Sequence, residues 1–165
     1  MAHYHDTRQQ ASLAAVAVSL LLAVALDFVP LPFSSFFWLF EPTALMLLYW
    51  SVYAPEKIGL GAAFCLGIVL DLAVGSVFGL HALSYVAMLF VVQYFHARIR
   101  FYAPLAQITA VFVALLCQQL LMTAGRLILG GEAAWHGLAA PLIGALVWPL
   151  LKMLMMPFTS KSESV

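Results

Sequence analysis

The stretch IGLGAAFCLGIVLDLAVGSVFG, residues 58–79, decides what kind of molecule this is. It is apolar for about the 20 residues a helix needs to cross roughly 30 Å of hydrocarbon, and Asp71 is its one ionisable group. Gly59, Ala63, Gly67, Asp71, Gly75 and Gly79 recur every four residues. That step keeps them near one helix face, so the stretch predicts a membrane-spanning helix with a seam of small residues. In lipid such a seam lets two backbones approach closely, because packing rather than water exclusion drives helix association. The plain expectation is packing within one bundle; the sharper one is a seam that receives another subunit's helix.

Composition extends this reading to the whole chain. Of its 165 residues, 65% are hydrophobic and only 8% are charged, against roughly 25% charged in soluble proteins. So few charges cannot cover the surface of a soluble fold this small, so the solvent is lipid. Disorder and a disulfide-stapled secreted domain are excluded by the same numbers. Net charge is zero, with no basic field for nucleic acid. Cys65 and Cys117 sit in long apolar runs and read as small buried hydrophobes.

On the same ruler the chain divides into six transmembrane helices, about 11–29, 36–53, 58–78, 80–96, 103–126 and 137–158. Loops are short and no linker separates them, so residues 1–165 form a single all-α transmembrane domain. A cleaved signal peptide competes for the first span, with Ala23-Val24-Ala25 as its site, but the apolar run continues to Val29. Ala11, Ala15, Ser19, Ala23 and Asp27 make a second seam there. With the N-terminus inside, Arg8, Lys57, Arg98, Arg100, Lys152 and Lys161 fall inside and only Arg126 outside. This Lys/Arg bias predicts both termini in the cytoplasm, with anionic lipid headgroups as natural neighbours.

The expensive side chains cluster. Asp71 lies about 20 Å into the membrane from the cytoplasmic side, where an unpaired carboxylate costs roughly 2.5 kcal/mol or more. It reads equally as a functional group and as a cap or bond between helices. Glu41-Pro42 opens a second span whose helical part, to Tyr53, is about 18 Å and too short to cross alone. The preceding Phe33, Phe36, Phe37 and Trp38 read as an interfacial aromatic belt. Asp27, Glu41, Asp71 and His81, with Arg126, all fall in the outer half and predict an outward-facing polar pocket. His81 alone reads as a helix-end histidine. The His3 and His5 head reads as a flexible tail rather than a metal site. The sequence carries no H-E-x-x-H, G-x-S-x-G, P-loop or Cys-x-x-Cys, so no catalytic residue, metal or cofactor is expected.

Pro42-x-x-Leu45-x-Leu47-Leu48-Tyr49-Trp50 followed by Pro55, then Gly67-x-x-x-Asp71-Leu72-x-x-Gly75-Ser76-x-x-Gly79-x-x-Ala82-Leu83, resembles the MreD family of rod shape-determining proteins. Trp148-Pro149 resembles that family's C-terminal pattern. The resemblance is best over residues 40–90. It implies a multi-pass protein of the bacterial inner membrane, part of the cell-elongation machinery that supports peptidoglycan synthesis. Implied partners are MreC and, indirectly, MreB, RodA and the elongation-specific transpeptidase. It also implies a fold similar to substrate-binding subunits of energy-coupling-factor transporters. The expected role is a non-enzymatic scaffold. The alternative is a small-molecule or lipid-binding membrane subunit that uses the polar pocket.

Overall fold

The computed structural model describes residues 12–28, 41–75, 77–130, 137 and 139–159. The His3 and His5 head, Arg8, Ala11, the aromatic stretch 33–40, Ser76 and Lys161 lie outside the described residues. Six helices make up the described chain: α1 Leu13–Asp27, α2 Pro42–Tyr53, α3 Leu60–Val74, α4 Leu80–Ile99, α5 Pro104–Ile128 and α6 Ala140–Thr159.

Local chemistry sets these limits. Ser12 caps α1 by accepting the Ala15 N–H, and proline opens both α2 and α5, where its missing N–H costs nothing. The third helix is shorter than the expected span 58–78. It ends at Val74 and is followed by Gly75 with φ +64°, a left-handed cap whose N–H returns to the Asp71 carbonyl. Gly79, with φ +91°, completes the turn into α4. Gly75 and Gly79 are therefore turn residues and not part of the helical seam.

Side-chain contacts give the directions. Trp50 Nε1, in the last turn of α2, donates to Ser19 Oγ near the middle of α1 at 2.8 Å, and Thr43 at the start of α2 meets Asp27 at the end of α1, so the two helices run antiparallel. α3 and α4 form a tight hairpin in which Gly67 abuts Ala82. α4 and α5 are antiparallel too, with Leu80 against Gly125 at one end and Ile99 against Gln107 at the other. Gly144 against Leu115 and Lys152 against Gln107 continue the alternation into α6. α2 is the hub, touching α1, α4, α5 and α6. Its residues 43–45 and 47–52 are all buried.

The exterior is far more apolar than that of a soluble protein, and several polar residues are buried beside the apolar core. Buried positions include Thr43, Ser51, Asp71, Ser84, Gln107 and Gln118. The exterior carries Leu21, Leu72, Phe90, Leu105, Ile128 and Leu146, each more than half exposed. Lipid is the medium in which such a surface is stable. Two helices, Pro104–Ile128 and Ala140–Pro157, are long and apolar enough to cross a membrane by length and composition. α1 and α3, at 15 residues each, are about 22 Å long.

Cys65 and Cys117 are exposed on this apolar exterior, free and unpaired with each other, where buried positions were expected. An apolar run at mid-helix has the same composition whether it faces lipid or a neighbouring helix, so the sequence could not separate the two.

Candidate functional site

Alternation of direction brings the ends of α1, α3 and α5 together with the starts of α2, α4 and α6. Every described candidate pocket residue lies at this end.

Asp71 sits on the last turn of α3 and is 1% exposed. Its Oδ2 accepts the Gly79 N–H at 2.8 Å and the Ala82 N–H at 3.5 Å. Its Oδ1 accepts the His81 N–H at 3.0 Å and lies 2.7 Å from His81 Nδ1. The first amides of a helix have no partner within it and carry the positive end of its dipole. Asp71 thus caps α4 from the preceding helix. This is why the Gly75 to Gly79 turn is so tight.

Asp27 does the same for α2. From the end of α1 its Oδ2 accepts the Thr43 N–H at 3.2 Å and also takes the Thr43 hydroxyl. Glu41 holds the N-cap position of α2 but makes no cap bond with its side chain. That carboxylate instead accepts from the Tyr85 hydroxyl at 2.5 Å and from Gln118 Nε2 at 2.9 Å, tying α2 to α4 and α5. His81 joins the two carboxylate groups, with Nε2 3.9 Å from Glu41 Oε1. The result is a chain Asp71–His81–Glu41 crossing three helices.

Beside this chain lies a cavity of about 190 Å³, lined by Asp27, Glu41, His81, Gln119, Met122 and Arg126 among others. Four of the five expected pocket residues therefore line one cavity, and Asp71 supports it from behind through His81. Tyr85 and Gln118 were not foreseen. The Gln118-Gln119 pair, two amides inside a long apolar run, was the available signal for α5. Tyr85 gave none. His81 sits at a helix end, in the first turn of α4, and is buried, with Asp71 and Glu41 beside its two ring nitrogens.

The seam of small residues is shorter than its spacing suggested. A Cβ on Gly67 would collide with the Cα and N of Ala82 and the carbonyl carbon of His81, and Ala63 is fully buried. Gly59, Gly75 and Gly79 have nothing within 4 Å of a Cβ. The close approach is thus confined to Ala63 and Gly67, inside the α3–α4 hairpin. On α1, Ser19 and Ala23 are buried, and Ser19 bonds α2 through Trp50.

Among the described residues no group of three or more His, Cys, Asp or Glu side chains is placed to hold a metal ion. The carboxylates are engaged by helix termini and neighbouring side chains, an arrangement suited to locking helices together.

Comparison with known proteins fits this picture of a membrane bundle. The chain is similar to the rod shape-determining protein MreD of Haemophilus influenzae, with 27% identity over 143 residues, covering 81% of this chain and 83% of that protein. No solved structure matches the chain. A family model described as rod shape-determining protein MreD matches residues 7–158, nearly the whole sequence, and the chain belongs to that family.

Proposed function

We propose that this protein is a non-enzymatic scaffold of the rod complex, embedded in the bacterial inner membrane and binding MreC. Through MreC it would act with MreB, RodA and the elongation-specific transpeptidase in lateral peptidoglycan synthesis. The carrying observation is how the polar end is built. Asp27 and Asp71 are spent on capping α2 and α4, and Glu41 on fastening three helices. Groups engaged in this way fix a shape, even where they line the cavity. The membrane-facing exterior of the bundle is where a partner helix meets it.

Orientation belongs to the same reading. Lys57, Arg98, Arg100 and Lys152 lie at the end of the bundle opposite Arg126. By the basic-residue bias this end faces the cytoplasm, both termini with it, and the polar cavity faces outward. The same reading takes six spans around an outward pocket, with the fold likeness to substrate-binding subunits of energy-coupling-factor transporters that the resemblance implies.

A second reading, a subunit that binds a small molecule, draws on the 190 Å³ cavity lined by Asp27, Glu41, His81 and Arg126. Affinity purification in mild detergent separates the two. A scaffold brings a single-span partner in fixed ratio, whereas a chain that purifies alone with a bound small molecule contradicts the scaffold.

A further inference from the structure

Among the described residues a second, apolar hollow lies toward the opposite end from the polar cavity. A groove of about 480 Å³ runs between α4 and α5, lined along α4 by Met88, Val92, Phe95 and Ile99 and along α5 by Ala110 and Cys117, among others. Thr109 is also in the lining, but its hydroxyl donates to the Leu105 carbonyl at 3.0 Å and offers the groove little polarity.

The two helices diverge for identifiable reasons. At the polar end Gly125 lets the Leu80 side chain press against α5. At the groove end the link is a long side chain: buried Gln107 donates from Nε2 to the Ile99 and Arg100 carbonyls, at 3.2 and 3.1 Å. Lys152 fixes Gln107 in turn, donating to its Oε1 at 3.1 Å. Alanine at 106, 110 and 114 keeps much of the α5 side of the groove shallow.

Length and charge select the occupant. From Met88 to Ile99 the groove extends about 16 Å, half of the roughly 30 Å hydrocarbon thickness. A transmembrane helix would need a contact through both halves, but at the far end the Leu80 side chain already packs against Gly125. A chain confined to one leaflet fits. The lining ends at Ile99 and Tyr102, and the residues flanking them in sequence, Arg98, Arg100 and Phe101, are all exposed. Aromatic side chains at that depth mark the headgroup region, and basic pockets between helices attract anionic headgroups.

We propose that the α4–α5 groove is a binding site for one anionic phospholipid, with an acyl chain in the groove and the phosphate at Arg98 and Arg100. The proposal rests on the membrane-embedded reading above but not on any partner protein.

The test is native mass spectrometry of the delipidated full chain in detergent, titrated with phosphatidylglycerol or with phosphatidylcholine of identical acyl chains. Wild type retains one phosphatidylglycerol in preference to phosphatidylcholine. Arg98→Gln and Arg100→Gln each weaken phosphatidylglycerol about five-fold and leave phosphatidylcholine unchanged. Ala110→Phe and Cys117→Phe, which fill the groove, weaken both lipids; the arginine variants leave the lining intact should either filled variant misfold. Equal binding of the two lipids to wild type, or undiminished phosphatidylglycerol on a folded groove-filled variant, overturns the site. A protein adduct lost on groove filling while lipid binding persists also overturns it. Failure of the membrane reading itself looks different: the chain would then leave the membrane fraction on alkaline washing.

Discussion

Asp71 shows how one residue's role is set by its hydrogen-bond demand. Its two oxygens receive three backbone amides and the His81 ring. Shape alone would let asparagine replace it, but donor count does not. An amide offers one acceptor oxygen, and its NH2 would face two of those donors. Asp71→Asn is therefore expected to lose roughly 1–3 kcal/mol of stability, the cost of buried donors left without acceptors. Asp71→Ala, which strands all of them and the buried histidine, is expected to lose roughly 3–5 kcal/mol. Thermal unfolding in detergent measures both, and an Asn variant that unfolds with wild type would contradict the capping role.

At the scale of elements, the α3–α4 hairpin separates two kinds of glycine that share one spacing. Gly67→Ala drives a methyl group into the Ala82 and His81 backbone, which has no soft side chain to yield, and is expected to cost roughly 1–3 kcal/mol. Gly59→Ala meets open space and should stay within about 0.5 kcal/mol of wild type. Gly75→Ala costs roughly 1–2 kcal/mol for a different reason, the left-handed φ of +64°. Membrane accumulation and unfolding temperature of the three variants check the ranking; equal behaviour of Gly67→Ala and Gly59→Ala would sink it.

The hairpin also shows what was legible beforehand. The four-residue period located a small-residue face and the buried carboxylate on it. It could not reveal that the helix stops at Val74, because glycine supplies both close packing and left-handed turns. The polar end was readable for a simple reason: ionisable side chains are so costly in hydrocarbon that the few present had to gather. Their pairing was not, since Asp27 with Thr43, or Glu41 with Tyr85 and Gln118, depends on helix directions that periodicity leaves open. Exposed cysteines were missed because lipid-facing and core-facing positions look alike in composition.

For the whole molecule, the account is a bundle with an apolar exterior, basic residues at one end and a locked polar cluster at the other. A C-terminal fusion is expected to be active with a cytoplasmic reporter and silent with a periplasmic one; the reverse pattern would contradict the orientation drawn from Lys57, Arg98, Arg100 and Lys152. Under the proposed scaffold role the polar end serves shape and not turnover, and Asp27→Asn tests this most directly. Both bonds from Thr43 go to the same carboxylate oxygen, so an amide oxygen can keep them while the charge is removed. The measurement is cell shape in a strain lacking this protein, complemented by Asp27→Asn at verified wild-type membrane levels. The account predicts rods indistinguishable from those restored by the wild-type chain. Round cells at full accumulation would contradict it.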